Sequence, residues 1–312
     1  MICPRRLAGI DIGTLTCRLL IADHLPGQPL KEIHSERHIL RLGEGVDHTK
    51  RLAPAAIDRV LACLQKWRAI IEAHGVDVVT AVATSAVREA LNRDEFLTRV
   101  HHEARIEVEV LDGREEARRT LLGIRSGLPG EVADILALDI GGGSTEFVVD
   151  RPPRSPLVHS IELGVVRLAE RMLQHDPPTV EEIERARRWV AKETTTALSA
   201  TTGHECAVLV GTGGTMTSLA AMAQRLPLYE PARIHNFTLT LVDIRELEQS
   251  LLARRRAERE GMLGLEKGRE DVIAAGAIIT RTVMECCERT SLLVSDCGLR
   301  EGALIDLVQR RR

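Results

Sequence analysis

The chain has 312 residues, of which 44% are hydrophobic and 28% charged, with a formal net charge of -3; this is the composition of a globular protein long enough for two domains. Three Phe, two Trp and one Tyr supply no stacking platform, and the acidic balance no basic footprint, so a DNA or RNA binder is excluded. Seven cysteines without a C-x-x-C pair, no leading apolar segment and no run near the roughly 18 residues of a membrane span predict a cytoplasmic protein with no membrane partner.

The first predicted element is a hairpin, LAGIDIGTLTCRLLIAD, in which two apolar runs flank a small-residue turn after Asp11. Strand-like KEIHSERHILRLGEGV follows, with Gly43 and Gly45 flanking Glu44 in a turn. Ile57, Val60, Leu61, Leu64, Ile70 and Ile71 recur at helical spacing between Pro54 and Gly75. Val76 to Ala83 reads as a buried strand leading through a small-residue turn into a short helix, ATSAVREA. IEVEVLD alternates as a further strand, and LDGREEARRTLLG opens a helix at Asp112.

From Asp139 the pattern begins again. ILALDIGGGSTEFVVD is a second hairpin ending its first strand in Asp-Ile-Gly; strand SIELG, helix VVRLAERML, a charged helix over Val180 to Ser199 and strand CAVLVG come next. GTGGT then opens the helix TMTSLAAMA. Strands alternating with helices, and a repeated hairpin, predict an α/β fold of two similar domains with mixed sheets around a cleft. The charge-dense RRRAEREGMLGLEKGRE is expected to be a solvated helix face and loop. His101-His102 and Cys286-Cys287 lack complementary ligands at metal-site spacing and read as ordinary surface and core residues.

Several segments carry chemistry. In DIGGGSTE, Gly141, Gly142 and Gly143 are costly within a strand pair unless the backbone must approach something closely, and an anion gripped by amides is the best reason. A plain tight turn is the alternative. VLVGTGGTMTSLA is strand, glycine loop and helix, a geometry that binds anions at a helix N-terminus. It is neither the dinucleotide fingerprint, since Met216 occupies the sixth position, nor a P-loop, since no Lys-Ser/Thr follows. Asp112-x-x-Glu115 fits a capping box, which makes Glu115 structural. Glu116, about 100° further round the helix, reads from spacing either as a solvated residue or as a general base facing a cleft. Arg88, just inside its helix, reads either as a surface arginine or as a fork for phosphate oxygens.

Taken in order, these segments resemble the exopolyphosphatase and guanosine pentaphosphate phosphatase family, a branch of the sugar kinase, Hsp70 and actin superfamily. The resemblance runs from Gly9-Ile10-Asp11-Ile12-Gly13 through Ala83 to Ala90, Gly113 to Arg118, Asp139 to Glu146, Leu163 to Leu168 and Gly211 to Thr215, and ends at Asp296 to Gly302. It implies two duplicated actin-like (ribonuclease H-like) domains with an active site in the cleft. One spans residues 1–123 and is completed by a C-terminal helix at 299–312; the other spans 124–298. It further implies that Glu116 acts on the attacking water, that Asp11, Asp139 and Glu146 serve Mg²⁺ or another divalent cation such as Mn²⁺, and that Gly13, Thr14, Thr16, Arg88, Gly141, Gly142, Gly143, Ser144, Thr145, Gly213, Gly214 and Thr215 bind phosphate. The implied substrate is polyphosphate or guanosine pentaphosphate, losing its terminal phosphate, and a homodimer is compatible with the resemblance.

Two departures qualify the match. The family usually has Gly-Ser-Asn-Ser in its first loop, where this chain has Gly13-Thr14-Leu15-Thr16, and Leu15 offers no side-chain donor. The chain also ends soon after Gly-Leu-Arg-Glu-Gly, without the helical C-terminal domains of longer members, which favours short or nucleotide substrates. The competing readings are a small-molecule kinase of the same superfamily, for which no acceptor segment with an aspartate base is evident, and a non-catalytic alarmone or polyphosphate sensor.

Overall fold

The computed structural model describes residues 4–201 and 207–310; Cys3, Cys206 at the head of CAVLVG, and Arg311 and Arg312 of the expected C-terminal helix lie outside the described residues. The chain divides into two compact units, Met1–Ser126 with Cys297–Arg312, and Gly127–Asp296.

The first unit is built on five strands: β1 (Arg5–Ile12), β2 (Thr16–His24), β3 (Lys31–Ile39), β4 (Val78–Ala83) and β5 (Val108–Val110), in the order β3-β2-β1-β4-β5. β1 runs antiparallel to β2 and parallel to β4, and β5 continues in parallel. The central strands are apolar on both faces because helices cover the sheet. β3, at the edge, carries Lys31, Glu32, Glu36 and Arg37, charges that keep an exposed edge from pairing with another chain. The Pro54–Ala73 helix starts on its proline and buries Ile57, Val60, Leu61, Leu64, Trp67 and Ile71 against β1 and β2 residues of the same core.

The Gly113–Gly127 and Leu299–Gln309 helices meet backbone to backbone. A Cβ on Gly302 would fall 1.7 Å from the Arg119 carbonyl oxygen, and one on Gly123 would fall 1.9 Å from that of Gly298. Only glycine permits so close a crossing. Arg118 then bonds Asp306 at 2.6 Å across the same pair of helices.

The second unit repeats the plan. β6 (Ile135–Ile140), β7 (Thr145–Asp150), β8 (Leu157–Ile161), β9 (Val208–Thr212), β10 (Thr238–Thr240) and β11 (Ser291–Val294) form a sheet in the order β10-β11-β9-β6-β7-β8. β6, β7 and β8 are an antiparallel meander, and β6 continues in parallel through β9 to β11. This is the β1-to-β5 topology again, with β10 added at the edge. The repeat extends to hydrogen bonds: Gly13 N–H donates to the Thr16 carbonyl at 3.0 Å, and Gly141 N–H to the Ser144 carbonyl at 3.0 Å.

One expectation about the surface is corrected. In the charge-dense segment Arg259 and Arg269 are each only 3% exposed and Glu270 is buried with them. Arg259 is held by backbone carbonyls, donating to Leu251 (3.0 Å), Glu270 (2.9 Å) and Arg254 (2.9 Å). Their charges are tolerated inside because polar partners replace water. His101 and His102 are exposed and Cys287 is buried, as expected.

Candidate active site

In the first unit the base expected from the sequence stands at the end of the sheet. Asp112 caps the Gly113–Gly127 helix by accepting the Glu115 N–H at 2.8 Å. The carboxylate of Glu115 does not complete a capping box; it turns to Arg118 (3.0 Å), Arg119 (3.7 Å) and Arg310 (3.4 Å). The bonded Arg118 guanidinium holds the Glu115 carboxyl below the usual carboxylate range. Glu116 points elsewhere, is 7% exposed, and accepts Arg88 Nη1 at 3.0 Å. The same Nη1 donates to the Leu111 carbonyl at 2.7 Å. Adjacent glutamates thus have separate surroundings, as helical geometry requires of neighbours in sequence.

Gly13, Thr14 and Thr16 form the β1–β2 turn, whose carbonyls are held from behind: Gly43 N–H donates to Thr14 (2.8 Å), and Leu40 and Arg41 N–H to Leu15 (3.0 and 2.9 Å). The Leu15 side chain is buried, 4% exposed, so the residue that replaces the family's asparagine serves packing. Asp11, at the end of β1, has Arg18 as its cross-strand partner.

In the second unit the partner of Asp139 is Glu146. Directly opposed residues of antiparallel strands share a face, so two carboxylates stand side by side. Glu146 is 2% exposed and accepts Ser160 Oγ at 2.8 Å. A Cβ on Gly213, whose φ is +91°, would fall 2.7 Å from Asp139 Oδ1 and 3.2 Å from the Ile140 carbonyl oxygen, so the third glycine loop lies against the end of β6. Thr215 Oγ1 reaches the Ile140 carbonyl at 3.4 Å, tying the Gly213–Ala223 helix to the second hairpin. Gly214 lies under the guanidinium of Arg269, since a Cβ there would fall 2.2 Å from Nη2. Among the described residues, no group able to hold a metal with three or more His, Cys, Asp or Glu side chains occurs. The Asp139–Glu146 pair fits a hard cation that takes its remaining oxygens from water and phosphate, which is the habit of Mg²⁺.

Thr145 departs from its expected role. It is fully buried and its hydroxyl donates to the Leu163 carbonyl, so it braces the loop and offers no side-chain donor to a ligand. The remaining loop is disposed for an anion: among the described residues, no protein acceptor meets the N–H groups of Gly142, Gly143 and Ser144.

The Ppx/GppA phosphatase family model matches residues 20–311. The chain belongs to that family. Exopolyphosphatase 2 of Mycobacterium tuberculosis is 36% identical, over 97% of this chain and 98% of the relative. Among solved structures, an exopolyphosphatase from Cytophaga hutchinsonii superposes with a TM-score of 0.90 at 30% identity, covering 98% of each chain. The Aquifex aeolicus Ppx/GppA protein superposes with a TM-score of 0.83 at 34% identity, covering 99% of each. The two mixed sheets flanked by helices are therefore the actin-like pair that the sequence predicted.

As a Ppx/GppA phosphatase the chain has two further residues at its glycine loops that sequence reasoning left without a role. Arg167, 3% exposed, donates from Nε to the Gly143 carbonyl at 2.9 Å. Arg269 is paired with Glu266 at 2.7 Å over the start of the Gly213–Ala223 helix. Arg167 lay within a recognised motif; Arg269 lay in a segment whose composition reads as solvent-facing.

Proposed function

We propose that this phosphatase releases the terminal phosphate of inorganic polyphosphate, and of guanosine pentaphosphate at its 5′ end, by attack of water on the terminal phosphorus. The observation that carries the reading is the buried Glu116 held by Arg88 at 3.0 Å beside a neighbouring glutamate that is committed to three arginines. A carboxylate fixed in orientation and shielded from bulk solvent is suited to taking a proton from water. Glu116 accepts that proton as the water oxygen bonds to phosphorus and the bond to the bridging oxygen breaks, and the shortened phosphate chain leaves.

In the second unit the amides of Gly142, Gly143 and Ser144 are suited to phosphate oxygens, and in the first unit Arg88, through the guanidinium edge turned away from Glu116, is suited to a phosphate chain. Asp139 and Glu146 would hold Mg²⁺, which supplies neutralisation of phosphate charge when bound. Asp11 sits opposite an arginine rather than a carboxylate, so its place in the metal site is secondary. No described helix is long and apolar enough to cross a membrane.

The test is phosphate release from long-chain polyphosphate, short-chain polyphosphate and guanosine pentaphosphate, side by side with Mg²⁺. Release from at least one, lost in Glu116→Gln, supports the reading; no release from any of them removes it.

A further inference from the structure

The helix Val165–Met172 directs its first amides into the protein. Val165 N–H donates to the Gly141 carbonyl (3.0 Å), and Val166 and Arg167 N–H to that of Gly142 (2.9 and 3.3 Å). The Gly143 carbonyl is taken by Arg167 Nε at 2.9 Å. The helix start lies flush on the loop, because a Cβ on Gly164 would fall 2.3 Å from the Gly142 carbonyl oxygen and 2.4 Å from the Gly143 nitrogen.

In a trans peptide the carbonyl and the following N–H point in opposite directions. Turning the carbonyls of Gly141, Gly142 and Gly143 back toward the helix therefore turns the amides of Gly142, Gly143 and Ser144 the other way. Two of these three peptides are set by helix backbone. The third, Gly143–Ser144, is set by a side chain, and the positive end of the helix dipole is relayed through the peptides rather than offered to a ligand directly.

The first hairpin shows what is particular here. At the matching position the Leu15 carbonyl is held by the backbone amides of Leu40 and Arg41. The second hairpin uses a buried guanidinium instead.

We propose that Arg167 is a positioning residue of the phosphate loop: its guanidinium holds the Gly143–Ser144 peptide so that the Ser144 N–H is aimed at the phosphoryl group being released. This rests on the phosphatase reading above.

The experiment titrates inorganic phosphate into the ¹⁵N-labelled full chain and follows the amides of Gly142, Gly143 and Ser144, alongside steady-state kinetics. Arg167→Met should abolish the Ser144 response while Gly142 and Gly143 still move, and kcat should fall roughly 10²- to 10³-fold, as for loss of one preorganised donor, with KM changing less. Arg167→Lys keeps the charge without the planar fork and should fall between; it carries the same comparison if the methionine variant does not fold. A folded variant with an unchanged Ser144 response and unchanged kcat overturns the proposal. Silent loop amides in the wild type, with no phosphate released from any substrate, overturn the phosphatase reading itself.

Discussion

A single nitrogen of Arg88 joins Glu116 to the end of β5: Nη1 donates to Oε2 of Glu116 at 3.0 Å and to the carbonyl of Leu111 at 2.7 Å. The carboxylate is thus oriented by a group itself anchored to backbone. Replacing Arg88 by Met should loosen the hold on Glu116, and misplacement on the scale of an ångström costs about 10²-fold in rate. Single-turnover kinetics on short polyphosphate would register this as a loss in the chemical step in addition to any loss in binding.

Glu116→Gln preserves shape and removes the base, so turnover should fall roughly 10²- to 10⁴-fold with little change in melting temperature. Glu115→Gln loosens half-exposed ion pairs to Arg118 and Arg310 and a longer contact to Arg119, and should cost about 1 kcal/mol, with turnover nearly intact. Equal losses of turnover in two folded variants would show that the neighbours share one role.

Asp139→Asn should raise the Mg²⁺ concentration needed for half-maximal activity far more than Asp11→Asn does, because Asp139 faces Glu146 whereas Asp11 faces Arg18. A Mg²⁺ titration of phosphate release in both variants measures the difference, and identical curves would remove Asp139 from the metal site.

Gly164→Ala would place a methyl group 2.3 Å from the Gly142 carbonyl, where only backbone can yield. Overpacking of this kind costs about 1–3 kcal/mol. Because the atoms displaced belong to the phosphate loop, kcat should fall as well. Thermal unfolding together with kinetics distinguishes this from Gly302→Ala, where the clash is with the Arg119 carbonyl at 1.7 Å and stability is the first property lost.

Acid should act through Glu182. Burial pushes its carboxyl up, but His175 and the N–H groups of Thr179, Gln174 and His175 outweigh burial and bring it from the ordinary 4.5 down to about 2. The folded value is depressed, so the stability it contributes is present above pH 4.5 and is lost as pH falls toward 2. Glu182→Gln should cost about 1 kcal/mol at neutral pH, the size of a helix cap. Its deficit relative to wild type should shrink across that acid window in urea melts, and a pH-independent deficit would exclude the carboxylate as the source.

The elements that could be read from the sequence are those whose signals are local. The two hairpins are contiguous, are built from near-continuous buried apolar runs and turn on small residues, so the duplication, the strand-end positions of Asp11 and Asp139, and the glycine loops follow from patterning alone. The separation of Glu115 from Glu116 was likewise legible, because it needs only the pitch of one helix. What tertiary structure decided were contacts between segments far apart in the chain. Arg88 and Glu116 stand 28 residues apart and meet only because β4 and β5 pair in parallel. Arg167 reaches Gly143 because Gly164 lets a helix start against the loop. Arg259, Arg269 and Glu270 look like solvent-facing charges in composition, and become interior residues because carbonyls and Glu266 replace their water. A charged side chain's sequence neighbours do not say whether such partners await it; that depends on where the rest of the backbone is placed, which is a property of the folded chain.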